Sequence, residues 1–330
     1  MGDMALTVPV LRSALEQNPA LKITLVSNQV FEPFFYDLPN FKFHGVNLKN
    51  YPGMPGLYRL FKELNSYQKW DVVLDIHSVL RTWTLGTFFK WRRIPVYKID
   101  KGREEKKALT RKNRKSLKQL PHTTERYVNV FQQAGIEVNL NVKEAIHPSV
   151  QLPKIALNPS LPWIGIAPFS KHPQKEWPLD KVEQLIKQLN HASQYEIVLL
   201  GGGAKEKEIL EKLAAPYTHV HSLVGKFNLA EEITVVKNLK LLVSMDSFNM
   251  HLASLLGVKV VSIWGATHSL AGFGPVNNNS HFMVEIPISK LNCRPCSVFG
   301  SKPCHRSDFA CMQRISVEMV MKKINFALTS

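Results

Sequence analysis

Short apolar runs alternate along the chain with stretches of helical spacing, and most of the apolar runs end at a Gly, Pro or polar loop. In the second half, the apolar runs occupy residues 163–167, 196–200 and 241–244. Stretches in which apolar residues recur every three or four positions follow them, at residues 179–189, 204–214 and 230–238. Strands that alternate with helices are typical of a parallel sheet covered by helices on both faces.

The first half shows the same alternation with more interruptions. A helix is predicted over residues 6–17, with Pro9 tolerated in its first turn. Predicted strands follow at residues 22–27, 70–76 and 94–99, and predicted helices at residues 81–92 and 122–134. Residues 28–70 alternate short apolar pieces with Pro and Gly, without a clear period.

Residues 140–162 carry four prolines and little periodicity, which predicts a linker between two domains. We expect an N-terminal Rossmann-like domain over residues 1–150 and a C-terminal one over residues 151–316. Residues 317–330 are expected to form a helix that packs back on the first domain. The predicted fold class is therefore α/β, with two doubly wound parallel sheets that face each other across a cleft.

Polar residues follow two of the predicted strands within residues 244–275. Asp246 and Ser247 follow one strand, His251 lies about one helical turn later, and a Gly-Ala-Thr-His loop from Gly265 follows the next strand. Because the carboxyl ends of parallel strands meet at one crevice, these residues are expected to line one pocket, suited to a nucleotide diphosphate. A capped helix explains Asp246 and Ser247 equally well.

A third loop lies at the expected end of strand 163–167. It contains Ser170, Lys171 and Lys175 just before a predicted helix. Helix N-termini present free N–H groups to anions, and lysine adds a full positive charge. The loop is a second candidate for phosphate binding, whereas solvent-exposed lysines are the ordinary alternative. The glycines at 201–203 lack the spacing of a dinucleotide fingerprint and indicate only a tight turn.

The chain has 330 residues, 45% of them hydrophobic, which is enough for two cores. No apolar run reaches the length of a membrane span, and we expect a cytoplasmic protein.

The net charge of the chain, +16, predicts an anionic partner. Residues 98–118 hold ten Lys and Arg against three Asp and Glu, and thus seven of the sixteen net charges. No aromatic residue interrupts that segment, so nucleic acid is disfavoured; a solvated face and a docking surface for phosphorylated acceptor or lipid headgroups both fit.

Four motifs in this order carry a family resemblance: GD-x3-T-x-P-V-L at residues 2–11, SKHPQKEWP at 170–178, D-S-x3-H at 246–251 and WGATH-x3-GFGP at 264–275. Over nearly its whole length the chain resembles glycosyltransferase family 9, the ADP-heptose:lipopolysaccharide heptosyltransferases. The resemblance implies a GT-B fold and an inverting sugar transfer from an ADP-linked donor. It also implies a phosphorylated lipopolysaccharide core acceptor and a peripheral location on the anionic inner face of the inner membrane.

The resemblance also assigns roles to residues. Asp3 corresponds to the catalytic carboxylate, Lys175 to the lysine at the donor phosphates, and Ser170 with Lys171 to the polar pair beside it. The donor-binding set is completed by Asp246, Ser247, His251, Gly265 and Thr267. No DxD-like carboxylate pair stands near the donor loop, so we expect no required cofactor and electrostatic stabilisation by Lys175 and helix N-termini instead.

The sequence departs from the family pattern at two positions. Family members begin with a strand before the GD motif, whereas this sequence begins at Met1. We therefore expect either a start assigned too late or a first sheet without its central strand. In the second case Asp3 lies on a frayed terminus, and the chain would be a catalytically impaired nucleotide- or polyanion-binding relative. Phe248 replaces a residue that is usually Gly, which is expected to crowd the donor pocket.

Two further groups of residues are candidates for binding. His77, Ser78 and Arg81 follow the predicted strand 70–76 and are expected to contact the acceptor, although helix capping also explains Ser78.

The second group lies near the C-terminus and consists of Cys293, Cys296, Cys304 and Cys311. A CxxC pair followed by a wider pair fits either a zinc site with four thiolate ligands or free thiols in a packed loop.

Overall fold

The computed structural model describes residues 1–277 and 279–330. The first half contains, in chain order, α1 (Gly2–Gln17), β1 (Ile23–Ser27), β2 (Phe41–Gly45), α2 (Gly53–Tyr67), β3 (Val73–Asp75), α3 (Leu80–Trp91), β4 (Val96–Lys98), α4 (Arg103–Leu109) and α5 (Thr123–Gln133). No helix or strand lies between α5 and residue 163. That this stretch links two domains stays a prediction.

The second half contains β5 (Trp163–Ala167), α6 (Leu179–His191), β6 (Glu196–Leu199), α7 (Gly203–Ala214), β7 (Val220–Ser222), α8 (Leu229–Lys237), β8 (Leu241–Met245), α9 (Phe248–Leu255), β9 (Lys259–Trp264), β10 (Met283–Glu285), α10 (Ala310–Gln313) and α11 (Val317–Thr329). Its six strands form one parallel sheet in the order β10-β9-β8-β5-β6-β7. The chain adds β6 and β7 on one side of β5, then returns to add β8, β9 and β10 on the other. The strand order thus reverses between β5 and β8, where sheets of this kind bind ligands.

The strands of the first half form two separate parallel pairs, β1 with β2 and β3 with β4. The α/β class is confirmed. Residues 28–70, for which the sequence predicted no helix or strand, contain β2 and α2. The absence of a central strand from this half stays a prediction.

Helix α1 begins at Gly2, one turn earlier than predicted, so Pro9 lies in the helix interior rather than in its first turn. The helix is buried on all sides, with Ala5, Val8, Val10 and Ala14 fully shielded from solvent. A helix that is apolar around its circumference must pack against neighbours on several faces. Here α1 packs against α5 of its own half and α9 of the other, and one hydrophobic core runs through both halves.

Helix α11 packs against α6 and the β8–β10 side of the second sheet. Its buried residues Val317, Val320, Ile324 and Ala327 belong to the core of the second half, whose members all lie after residue 163. The prediction that this helix packs back on the first domain is wrong, because its apolar face is used within its own half. Within the described residues, no helix combines the length and apolar character needed to cross a membrane.

Candidate functional site

The site is centred on Asp246, which follows β8 and is 7% exposed. Its Oδ2 accepts a hydrogen bond from Thr267 Oγ1 at 2.7 Å and lies 3.3 Å from Lys175 Nζ. These three residues come from the loops after β8, β9 and β5. The structure therefore brings together the three polar loops that the sequence predicted at one crevice. A cation and a hydroxyl are held together beside the switch point of the sheet.

The N-terminus of α9 points to the same place. Ser247 is its N-cap residue, yet no side chain caps the helix, and Ser247 Oγ instead lies 3.1 Å from Ser244 Oγ. The capping interpretation of Asp246 and Ser247 is wrong, because the Asp246 carboxylate is already bound by Lys175 and Thr267. The first N–H groups of α9 are left for an anion, which the positive end of the helix dipole favours.

His251 lies one turn into α9 and is 7% exposed. Its Nδ1 is buried and has no hydrogen-bond partner within the described part of the chain. Burial lowers the pKa of His251 to about 3, helped by the charges of His122 and Lys175 and opposed by Asp3. The imidazole is therefore neutral, and it presents one unpaired ring nitrogen that a ligand atom would satisfy.

The depressed pKa of His251 predicts a loss of stability in mild acid. The unfolded chain binds a proton below pH 6.5, whereas the folded protein resists doing so down to about pH 3. The contribution is therefore fully present above about pH 6.5 and falls as the pH drops, by about 1.4 kcal/mol per pH unit. Urea unfolding at pH 7.5, 6 and 5 should show this slope flattened in His251→Asn but kept in His191→Asn, where the histidine is exposed. An unchanged slope in His251→Asn would contradict it.

The other two residues of the first loop differ in exposure. Ser170 is half-buried; its Oγ donates to the Asp246 carbonyl at 3.4 Å, and its N–H donates to Glu176 Oε1 at 3.1 Å. Lys171 is exposed and makes no described hydrogen bond or ion pair. Ser170 thus supports the loop geometry, while Lys171 is free to meet a ligand.

Asp3 lies in the first turn of α1 and is exposed. This turn lies beside His251 of α9, since a Cβ added at Gly2 would lie 3.2 Å from His251 Cδ2. The Asp3 charge raises the pKa of His251 and opposes the burial that lowers the pKa of Lys106 to about 8. The motifs at residues 2–11 and 246–251, which are far apart in the sequence, therefore meet in space.

Sequence reasoning missed Arg294, which is fully buried and holds the loop after β9. Its guanidinium donates to the carbonyls of Gly265, Trp264, Thr267 and Ile286 and to Glu285 Oε2. The distance to the Gly265 carbonyl is 2.7 Å. Gly265 itself offers backbone rather than a side chain, and a Cβ there would lie 2.8 Å from Met312. The signal in the sequence was an arginine between two cysteines and before a proline.

All four cysteines line one small pocket, beside Arg294 and α10. Burial raises the pKa of the Cys311 thiol to about 11 and also raises that of Cys296. Within the described residues no group of three or more His, Cys, Asp or Glu side chains is arranged to hold a metal ion. The thiols are free, and the zinc interpretation stays a prediction.

The proposed acceptor residues follow β3, around the buried Asp75. Asp75 Oδ1 accepts from the N–H groups of His77 and Ser78, at 3.1 and 2.7 Å. Ser78 is buried with a φ of +46°, and its Oγ accepts from Trp83 Nε1 at 2.9 Å. Its hydroxyl is thus used within the fold, whereas His77 and Arg81 are exposed. Their contact with an acceptor stays a prediction.

Phe248 lies at the first position of α9. Its ring packs against Phe34 of the first half, with 5.8 Å between the ring centroids. Phe248 therefore packs against the core that joins the two halves, which explains how a bulky side chain is accommodated at the start of α9.

Three comparisons bear on this site. A family model described as glycosyltransferase family 9 (heptosyltransferase) matches residues 57–300. Lipopolysaccharide heptosyltransferase 3 of Escherichia coli is 23% identical over an alignment of 294 residues that covers 84% of this chain and 84% of that protein.

Two solved structures share the fold. A family 9 glycosyl transferase from Veillonella parvula has a TM-score of 0.74 at 19% identity, covering 99% of this chain and 94% of its own. The E. coli heptosyltransferase WaaC, solved with ADP-2-deoxy-2-fluoro heptose, has a TM-score of 0.69 at 19% identity, covering 98% and 96%. The arrangement of parallel sheets in this chain is therefore the one found in these enzymes.

Proposed function

The chain belongs to glycosyltransferase family 9 and is a glycosyltransferase, and from this premise we propose that it transfers heptose from an ADP-linked donor to a phosphorylated lipopolysaccharide core acceptor. The single observation that carries the proposal is the cluster of Lys175, Thr267 and Asp246 beside the uncapped start of α9. Cations and free N–H groups at a strand-order switch point suit a diphosphate. The relatives named for lipopolysaccharide heptose transfer support the choice of sugar and acceptor.

The proposed reaction is a displacement at the anomeric carbon. Asp3 removes the proton of the acceptor hydroxyl. At the same time the oxygen of that hydroxyl forms a bond to the anomeric carbon from one face. The bond from the same carbon to the diphosphate breaks on the opposite face, which inverts the configuration. Lys175, Lys171 and the N–H groups of α9 stabilise the negative charge that accumulates on the departing ADP. Neutral His251 donates or accepts one hydrogen bond through Nδ1 without adding charge.

The basic segment 98–118 supports a role on an anionic surface. Its cations Arg103, Lys107, Arg111, Lys112, Arg114 and Lys118 are exposed. Lys115 instead donates to the carbonyls of Asn292 and Pro295 in the second half, at 3.1 and 3.0 Å. The segment is thereby attached beside the donor loops, and its remaining charges are available for lipid headgroups or acceptor phosphates. We propose a peripheral location on the inner face of the inner membrane on this basis.

The test is turnover of ADP-heptose with a Kdo-lipid acceptor carrying the core phosphates. We expect a product heavier by one heptose in mass spectrometry and an inverted anomeric configuration in NMR spectra. ADP binding measured by calorimetry is the parallel readout. Tight ADP binding without transfer would favour the alternative, a catalytically impaired nucleotide-binding relative, whereas the absence of both would contradict the donor assignment.

A further inference from the structure

Lys106 of α4 is a buried lysine without a counter-ion. The residue is 8% exposed, and within the described part of the chain its ammonium makes no hydrogen bond and no ion pair. The ammonium lies over the ring of Phe273, with Nζ 4.5 Å from the ring centroid. Burial lowers the pKa of Lys106 to about 8, and the positive charges of Arg126 and Lys101 add to this effect. An anion supplied by a ligand would offset the cost of burying this charge.

This lysine lies where the first half meets the loop after β9, near the proposed base. The negative charge of Asp3 opposes the lowering of the Lys106 pKa, so the two side chains are near one another, although no ion pair joins them among the described residues. The segment after α4 is attached to the second half, since the N–H of Leu120 donates to the Leu270 carbonyl at 2.9 Å. Leu109, Leu120 and Phe273 share one small apolar cluster there. Lys106 is thereby held against the second half, beside the acceptor side of the reaction.

Phe273 also contacts an exposed aromatic ring. Phe299 packs against it with the ring centroids 5.4 Å apart and is itself 57% exposed. The next residue, Gly300, lies against the stem of Lys175, because a Cβ added there would be 2.6 Å from Lys175 Cγ. A row of side chains therefore leads from Lys106 over the two rings to the lysine assigned to the donor diphosphate. An exposed ring suits the apolar face of a sugar, and an ammonium suits an anionic substituent on it.

We propose that Lys106 and Phe299 form an acceptor subsite for an anionic sugar, with Lys106 paired to its carboxylate or phosphate and Phe299 packed against its ring. This inference rests on the proposed function, because it assumes that a sugar acceptor enters beside Asp3. The two residues are additional to His77 and Arg81, which follow β3. An anion bound at Lys106 holds the acceptor hydroxyl close to the base. The pairing is strong because the ammonium is shielded from water.

The experiment measures steady-state transfer to the Kdo-lipid acceptor by the full chain and by Lys106→Met. Methionine keeps most of the stem and removes the charge. We expect the acceptor KM to rise about 10- to 100-fold, the usual loss for one charge-assisted hydrogen bond, while kcat at saturating acceptor and ADP affinity stay within about twofold of wild type. Lys22→Met removes an exposed lysine from the same half and should leave the acceptor KM unchanged.

Modified acceptors identify the anion that Lys106 binds. The phosphates are removed from one acceptor with a phosphatase, the Kdo carboxylates of a second are converted to methyl esters, and a third lacks both groups. The acceptor without the bound anion should give wild type and Lys106→Met nearly equal KM values, and the other singly modified acceptor should preserve the difference. A difference that persists with the third acceptor would overturn the inference, because Lys106 would then act only through the fold.

Two further measurements separate acceptor binding from folding. Lys106→Met removes a buried charge that has no counter-ion, so its thermal midpoint should equal or exceed that of the wild type. Phe299→Leu, at an exposed position, should raise the acceptor KM about 2- to 10-fold through the loss of ring contact. Phe326→Leu shortens an exposed aromatic residue of α11 and should leave the acceptor KM unchanged.

The remaining outcomes distinguish this inference from the proposed function. An acceptor KM equal to that of the wild type in Lys106→Met would overturn the inference and leave the proposed function standing. A fall in kcat without a rise in acceptor KM would also overturn it, since Lys106 would then act on Asp3 rather than on the acceptor. Absence of transfer by the wild type would overturn both.

Discussion

Asp3→Asn is expected to lower the rate of sugar transfer by about 10²- to 10⁴-fold while leaving ADP affinity within about twofold of wild type. The amide keeps the shape of the side chain but cannot accept the proton of the acceptor hydroxyl. Asp3 is exposed and belongs to the first domain, whereas the donor contacts belong to the second. Loss of the base should therefore lower kcat without weakening donor binding.

The measurement is steady-state transfer with saturating acceptor, together with ADP calorimetry on the same preparations. Glu16→Gln removes a carboxylate from the far end of the same helix, where the side chain is also exposed, and serves as the control. We expect it to transfer at the wild-type rate. Wild-type turnover by Asp3→Asn would refute the assignment of Asp3 as the base. A parallel loss of ADP binding would instead indicate that the variant disturbs the first turn of α1 beside His251.

The strands β5, β6 and β8 of the second half were predictable to within one or two residues because parallel strands are covered on both faces. Their apolar runs are continuous, as in residues 163–167 and 241–245, and every residue of β5 and β8 is buried. The strands β7 and β10 were missed since their three-residue sequences, Val-His-Ser and Met-Val-Glu, are too short for a clear apolar signal. Helix α2 was missed for another reason: Gly53, Pro55 and Gly56 lie in its first turn and indicate a loop.

Packing between distant segments could not be read from the sequence. The contact of α1 with α9 joins residues about 240 positions apart, and local periodicity contains no information on such pairs. The same limit explains the error at the C-terminus. The amphipathic character of α11 predicts that one face is buried but not which half of the chain covers it.

The candidate site was predictable where one general rule sufficed. The carboxyl ends of neighbouring parallel strands lie at one edge of the sheet, and this rule predicts that Lys175, Asp246 and Thr267 lie close together. Their hydrogen bonds confirm it. Arg294 was not found, because charged residues are ordinarily exposed and its place between two cysteines does not show that it is buried. Its burial follows from the loop after β10, whose position exists only in the assembled fold.

Lys175→Ala is expected to lower kcat by about 10²- to 10³-fold, the usual cost of removing one preorganised group that stabilises transition-state charge. The ammonium of Lys175 is held 3.3 Å from Asp246, and both side chains are largely shielded from water, which strengthens its field at the leaving diphosphate. ADP affinity should also fall, since the product carries the same charge. Substrate turnover and ADP calorimetry measure the two effects separately.

Two variants sharpen this prediction. Lys187→Ala removes an exposed lysine from α6 and should leave turnover unchanged, which controls for net charge. Gly300→Ala keeps the lysine but disturbs its position: the glycine has a φ of +81°, and an added Cβ would lie 2.6 Å from Lys175 Cγ. Displacing the stem should lower kcat by less than removing the ammonium, because the charge stays near the diphosphate. Unchanged kcat in folded Lys175→Ala would exclude Lys175 as the group that stabilises the departing ADP, and the N–H groups of α9 would then be left to carry that role.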